Sequence, residues 1–573
     1  MTGAPAKGLA DLRGDYRFQA DFVVDAAWRL LAMQDDTPLS PSFGCFHYSY
    51  WRDKTSEFPD ARFQEAGATL GLLSLPYFDD ARRTGRLAPT GQLYRAFAAG
   101  LRNLAQQQYP EGCYDEWYKG ERGFAATEFT TIAYGLAGRF LGDRLAPEDR
   151  RRLQDVLARA GRWLARHDDR VKANHEAAAA AALALTWEVT GDASFKAAAR
   201  AKLENTLRRQ HGEGWFPEIG GMDLGYCSVL LDYVMIYTLV TGDGSGLPAM
   251  SRLFSFILPL IHPNGTISAE MGLCLNPYVS RLGIGLLSAH DAAAQVLVAF
   301  FQSATSSMKG LRPYLADDLR LTRWSHLPLV TGLVADAFRA APGDVKAFAK
   351  SLPSGWTWYR SAAVCAYHGD GLGVYFSPAG GGVVRIYQES CLIYEDIGLE
   401  LDTSDGRFVS TGYDPERLVT ATRSGFAVSC HLGQTRFFYP SFLARLVLRL
   451  GSSTSFGSRF LRALIDHVRL RRRTAANQSA APMADRGSPY RLERTVEVEG
   501  TMVRIIDRLE SGQGTINPDS VTLLVKVADE TLSSPSVGAP ARQLAFVKTC
   551  DVSGASPVFS WCIEPMLANG AGH

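Results

Sequence analysis

The chain has no pair of cysteines spaced C-x-x-C. Its nine cysteines (45, 113, 227, 274, 365, 391, 430, 550 and 562) are scattered and odd in number. That argues against a disulfide framework and against a structural zinc site. The amino-terminal stretch MTGAPAKGLADLRGDYRF lacks the apolar core of a signal peptide. Apolar runs such as LFSFILPLI at 253–261 are far short of a membrane span. The chain as given therefore reads as cytoplasmic, with a periplasmic or secreted place open to it if a leader has been removed. An excess of one charge is missing too. Sixty Lys and Arg stand against 59 Asp and Glu, a net charge of +1, so bulk electrostatics do not draw this protein to nucleic acid. An anionic partner would have to meet a local basic patch. Nothing in the sequence speaks to oligomeric state.

What is present is a folded composition, 46% hydrophobic and 21% charged over 573 residues, too long for one ordinary core. Two domains are expected, 1–350 and 351–573. From about 20 to 345 segments such as DFVVDAAWRLLAMQ and RRLQDVLARAGRWLARH place apolar residues at three-and-four spacing, the helical period. FLGD, EVTGD and LVTGD end at 143, 192 and 243, a recurrence every 49 to 51 residues. Glycine suits a left-handed helix cap, and the Asp can open the next connection. A period near 50 accommodates two helices and two loops, so stacked hairpins form a solenoid or a closed (α/α) toroid. Loops rich in Trp, Tyr, Arg and Asp lie between the helices, among them EGCYDEWYKGERGF and HGEGWFPEIGGMDLGY. A toroid with a cleft at one end accounts for them better than an open solenoid does.

After 355 the period shortens to β-branched and aromatic runs cut by glycine, such as GLGVYFSP, GGVVRIYQ and TMVRIIDRLE. That pattern predicts an antiparallel β-sandwich. A basic helical insertion interrupts it at about 440–475 (PSFLARLVLRL to RLRRRT), and its arginine run reads as a solvated helix end or as a lipid or polyanion contact.

Polar residues at the mouth of an apolar helix mark the first candidate site. In KANHEAAAAAALALTWEVTGD, Asn174, His175 and Glu176 precede an alanine-rich run. Asn is a favoured N-cap and Glu176 suits the helix dipole. His175 fits that scheme less well, since the dipole opposes its protonation; a neutral imidazole there can serve as donor or base. Tyr226, at the loop-to-helix junction of EGWFPEIGGMDLGYCSVLLDYV, stands fifty-two residues after Asn174. One repeat separates them, so they are expected on one rim. Tyr233, two turns further on, reads as a core residue and a second candidate. Asn, His and Tyr on one rim suit β-elimination in a uronic-acid glycan: donors neutralise the carboxylate, while a base and an acid move the proton. Arg122 and Arg281 are the nearest loop candidates for a cation that could lower a tyrosine pKa.

The segments ANHEAAAA and GWFPEIGGMDLGY, with FGCFHYSYWRDKTSEFPDARFQEA, CYDEWYKGERGF and NGTISAEMGLCLNPYVSRLG, resemble the heparinase II/III-like polysaccharide lyases. The resemblance implies an (α/α) toroid joined to an antiparallel β-sandwich and an acidic polysaccharide as substrate. It implies Asn174 and His175 as carboxylate neutralisers and Tyr226 as base and acid. Trp117, Tyr118, Arg122, Glu270, Arg281, Tyr233 and His368 are the expected substrate contacts. Many relatives carry an H-x-H-x-D-like motif on an early sandwich strand; here LIYEDIGLEL stands instead, with Tyr394, Glu395 and Asp396. No cofactor is expected, and a structural divalent metal in the sandwich has no ligand motif to hold it. His368 and His431 are the only histidines left in the early sandwich.

Rival readings keep the fold and change the chemistry. A glycoside hydrolase would use two loop acids from Asp115, Glu116, Glu218, Asp223 and Glu270. A uronate C5-epimerase would share the proton abstraction, and a non-catalytic glycan-binding protein would keep the cleft alone. A terpene cyclase is disfavoured by the lack of an aspartate-rich motif.

Overall fold

The computed structural model describes residues 8–303, 317–342, 348, 351–435, 441–464, 488–532, 543–551 and 558–565, apart from positions 220, 273, 370, 413, 415–416, 455, 459, 462, 513–514, 518–519 and 528–529. Residues 465–475 of the expected basic insertion lie outside the described residues.

The first half is built of paired helices: α1 (Gly14–Met33), α2 (Glu65–Leu73), α3 (Thr90–Gln107), α4 (Phe124–Leu141), α5 (Pro147–Leu164), α6 (Ala173–Thr190), α7 (Ala193–Leu207), α8 (Leu224–Thr241), α9 (Leu247–Ile257), α10 (Leu282–Leu287), α11 (Ala292–Ser303) and α12 (His326–Leu333). The even-numbered helices pack side by side in chain order, and α12 returns to α2. The ring is therefore closed, a toroid rather than an open solenoid. The odd-numbered helices lie outside it, and α1 packs against α11 and α12 across the seam.

Small residues allow the inner helices this proximity. Residues 177–182 of α6 are all alanine and fully buried. On α4, a Cβ at Gly135 would stand 2.8 Å from the Leu185 Cβ of α6, well inside van der Waals contact. The recurring Gly-Asp works as its chemistry dictates. Gly191 and Gly242 end α6 and α8 in the left-handed region, at φ 76° and 72°. Asp192 then caps α7 by accepting the Ser194 N–H, and Asp243 accepts from Ser245.

Helix α8 is apolar and long enough to cross a membrane, with a mean hydropathy of 1.5, but 72% of it is buried in the ring. Apolar residues all round a helix are what an inner position requires. Asp232 in its middle accepts from Tyr278 Oη (2.6 Å), Ser280 Oγ (2.5 Å) and the Gly283 N–H (2.7 Å). A buried carboxylate with three donors is a clamp. It ties α8 to the start of α10.

Apart from one short hairpin within the toroid, strands begin at Gly355. A nine-stranded and a six-stranded antiparallel sheet share an apolar core in which Val374, Ile386 and Leu399 of the first meet Val428, Val496 and Ile505 of the second. The larger sheet also lies against the toroid, and Val364, Ala366, Tyr375 and Tyr387 belong to the toroid's core. Polar contacts fix that seam. Tyr375 Oη donates to the Ile261 carbonyl (3.0 Å), Ser377 Oγ to the Glu270 carbonyl (2.8 Å), and Arg385 forks onto the Glu270 carboxylate (2.7 and 3.2 Å).

Candidate active site at the rim of the toroid

The inner helices run in the same direction, so their N-termini gather at one end. Phe124, the first residue of α4, stacks parallel to His175 near the start of α6 at 6.4 Å between ring centroids. Ser228 of α8 accepts the Ser280 N–H just before α10 (2.6 Å). Parallel helix dipoles make this rim positive, and each N-terminus brings backbone N–H groups with no partner inside its own helix.

Helix α6 begins one residue earlier than Asn174. Lys172 is its N-cap without a side-chain cap bond, and Asp169 upstream accepts the N–H groups of Val171 and Lys172, each at 2.9 Å. Asn174 is therefore not the N-cap expected of it; Asp169 orders the turn that leads into the helix, and no side chain caps the helix itself. Asn174 lies within the first turn at 1% exposure, and neither its Nδ2 nor its Oδ1 has a hydrogen-bond partner in the protein. Glu176, by contrast, accepts the Asp169 N–H and pairs with Lys202 at 3.3 Å. It is structural.

His175 stands 3.0 Å from Asp169 Oδ2 and 3.5 Å from Glu128 Oε1 through its Nδ1. Burial, aided by Lys172, lowers its pKa to about 4 against the pull of Asp169, so the imidazole is neutral near pH 7. The two carboxyls beside it are driven apart. Burial would raise Asp169, but His175 and Lys172 hold it well below the usual carboxylate range. Glu128 is pushed well above that range, first by burial and then by Asp169 and Glu176; both its oxygens are buried and unpartnered. Glu218 is pushed up by burial too, with Lys172 opposing, and its Oε1 is likewise unpartnered. It sits on a short hairpin (Pro217–Glu218 with Gly221–Met222) that packs on α6. Ile219 turns that hairpin at φ 49°, a conformation a β-branched residue rarely adopts.

Tyr226 is the third residue of α8. It is half-buried, and its N–H donates to Asp223, the α8 N-cap, at 2.8 Å. The residue before it has to be glycine, because a Cβ at Gly225 would stand 1.9 Å from the Asn276 carbonyl oxygen. Asn174 and Tyr226 therefore occupy the first turns of adjacent parallel inner helices. Tyr233 is fully enclosed between them and α4, with its ring 5.4 Å from Phe129. Burial raises its hydroxyl well above 10, with Arg62 opposing, so it stays protonated.

The other expected contacts lie at different places. Trp117 is 69% exposed on the rim loop, and Tyr118 beside it is half-buried. Arg122 stacks on Tyr109 (4.4 Å) and donates to Ser458 Oγ (3.0 Å). Arg281 is buried and holds Asp15 (2.7 Å) and the Val279 and Gly265 carbonyls, a tie between the α10 end and α1. Glu270 and His368 belong to the seam with the sheet, Glu270 on Arg385 and His368 Nε2 at 2.9 Å from the Pro259 carbonyl. His431 sits beside Asp414 at 3.1 Å. The structure does not gather Arg281, Glu270, His368 and His431 with Asn174.

Among the described residues no group of three or more His, Cys, Asp or Glu side chains is placed to hold a metal ion. In LIYEDIGLEL, Asp396 already faces Arg494 (3.0 Å) and Lys548, so a divalent cation there would meet two positive charges. The residues present do not fit one.

No protein-family model matches the chain, and no curated protein matches it. Among solved structures, the chain is similar to the chondroitin AC lyase of Streptomyces coelicolor A3 in complex with chondroitin sulphate. The identity is 12% and the TM-score 0.48, over 93% of this chain and 72% of that one.

Sequence reasoning passed over Glu128, Asp169 and Arg62. Arg62, buried at 4% exposure, lies 4.2 Å over the Phe129 ring and pairs with Glu65. The signal was there: Glu128 is the only acid in the apolar run FAATEFTTIAYGLAG. A carboxyl inside such a run has to be buried.

Proposed function

We propose that the chain is a polysaccharide lyase that cleaves a uronic-acid-containing glycan by β-elimination at this rim. The observation that carries the reading is the Asn174 amide, buried with both polar atoms unpartnered. Leaving such a group unsatisfied costs on the order of 1–3 kcal/mol, which a bound carboxylate would offset. In this reading Asn174 Nδ2 donates to the uronate carboxylate. Glu128 and Glu218, protonated by burial, add O–H donors without adding negative charge, and the helix N-termini add a favourable field. Those donors stabilise the enolate that forms as the proton beside the carboxylate leaves. Neutral His175 completes the carboxylate's surroundings. Tyr226 takes that proton; the electron pair forms the C4–C5 double bond, the C4–O bond breaks, and Tyr226 returns a proton to the leaving oxygen. The resemblance to heparinase II/III-like lyases supports the same three roles.

One observation favours a second reading. Glu128 and Asp169 both flank His175 and have pKa values shifted in opposite directions, the pattern of a general acid and a base in a glycoside hydrolase.

A panel of acidic glycans separates the two. A lyase leaves an unsaturated, ultraviolet-absorbing sugar at the new end, whereas a hydrolase gives reducing ends without it. The expected result is that absorbance in the wild type and its loss in Tyr226→Phe with an unchanged melting temperature. Full activity in Tyr226→Phe would sink the mechanism.

A further inference from the structure

The helix Phe442–Gly451, inserted between sandwich strands, is exposed almost throughout. Phe442, Leu443, Leu446, Val447 and Leu450 fall on one face at the helical period, with Phe442 82%, Leu443 67% and Leu450 66% exposed. Leu448, on the opposite face, and the terminal Gly451 are half-buried against the protein. Arg445 and Arg449, four residues apart, border the apolar face. Beyond the turn Phe456 and Phe460 are exposed as well, at 81% and 62%. A single apolar side chain on a surface is ordinary; a contiguous face of this size marks a contact.

Charge indicates which contact. Residues 441–473 hold eight arginines (445, 449, 459, 462, 469, 471, 472 and 473) and one acid, Asp466, a net of +7. The chain as a whole is +1, so everything else sums to −6 (52 basic against 58 acidic residues). Arginine beside Phe and Leu on one helix is the composition of an element that lies in an anionic membrane interface, its rings and alkyl chains below the headgroups and its guanidinium groups among them. A soluble polyanion would satisfy the arginines and leave the apolar face in water.

The insertion is anchored at the candidate site. Ser458 Oγ donates to the Gly120 carbonyl (2.5 Å) and accepts from Arg122 (3.0 Å), and Arg449 pairs with Glu57 at 2.5 Å. Gly120 has φ 84°, and a Cβ there would stand 2.2 Å from the Ser452 carbonyl oxygen. The exposed face is thus fixed beside the rim loop that carries Trp117.

We propose that this helix docks the protein on an anionic lipid surface and brings the rim of the toroid to that surface. The inference is independent of the reaction performed there. The test is co-sedimentation of the full chain with vesicles of phosphatidylcholine alone or mixed with phosphatidylglycerol, at low and high salt. Binding to the mixed vesicles, weakened by salt, is expected. It should fall roughly tenfold or more in Phe442→Ser/Leu446→Ser/Leu450→Ser and in Arg445→Gln/Arg449→Gln. Unchanged circular dichroism and melting would show both variants folded. No binding to the mixed vesicles, equal binding to phosphatidylcholine alone, or full binding by the serine variant overturns the proposal. So does a chain that ignores vesicles but self-associates, or holds a soluble polyuronate, through this helix.

Discussion

Two clusters of buried polar groups, one in each half of the molecule, meet the same physical cost in opposite ways. In the sandwich, Asp396, Asp507, Arg494 and Lys548 are closed on one another. Arg494 forks onto Asp507 at 2.6 Å twice, reaches Asp396 at 3.0 Å and donates from Nη1 to the Gly382 carbonyl at 2.9 Å, while Lys548 lies 2.7 Å from Asp507. Every charge has a counter-charge. At the toroid rim, Asn174, Glu128 and Glu218 are equally buried, yet the side chains of Asn174 and Glu128 make no hydrogen bond within the protein and Glu218 has one oxygen without one. Burial of polar groups is therefore not what marks a site in this protein. What sets the rim cluster apart is that several of its adjoining groups are left incomplete, a cost that a bound partner would offset.

Breaking the closed cluster gives the largest effect expected. Arg494→Met leaves two buried carboxylates with one lysine between them and should cost about 3–5 kcal/mol, read as a fall in the denaturation midpoint. Breaking the open one should cost activity instead. On the proposed mechanism Asn174→Ala removes a donor aimed at developing charge, and a loss of roughly 10²–10³ in kcat is expected. Its stability should hold or rise slightly, since no protein hydrogen bond is lost and alanine is the better helix former. A destabilised Asn174→Ala with normal turnover would reduce the rim to a structural cluster like the other.

The repeats, the helical and β halves and the shared rim were legible because each follows from a period. Gly191 and Gly242 must take a left-handed turn, and the fifty-two residues between Asn174 and Tyr226 span one helical hairpin. The charge partners were not legible. Asp169 meets His175 from the loop before α6, and Glu128 meets it from the neighbouring helix; pairs of that kind are set by packing between elements and leave no spacing to read. Arg281 misled for the same reason. A loop arginine looks available until its partner Asp15, 266 residues away, is in view.

The finest difference between the clusters is the sign of their pH dependence. Asp507 is held at about 2, below its ordinary 3.8, because Arg494 and Lys548 outweigh the burial that would raise it. Its contribution to stability is present above pH 3.8 and is lost as the pH falls through 2. Glu128 is the reverse. Its folded pKa lies well above the ordinary 4.5, so the folded state binds the extra proton, and stability declines as the pH rises above 4.5. Glu128→Gln keeps the shape and the neutral donor and removes this titration. The variant should match the wild type near pH 4 and melt progressively higher than it as the pH rises toward 8, a difference that differential scanning calorimetry resolves without any substrate. With substrate, the lyase reading expects Gln to keep activity within about tenfold and to lose the alkaline limb of the pH profile, since only a neutral donor is needed. The hydrolase reading expects Gln to lose the 10²–10⁴-fold contribution of a general acid. The thermal scan alone tests whether Glu128 is protonated; the kinetics then decide what the proton is for.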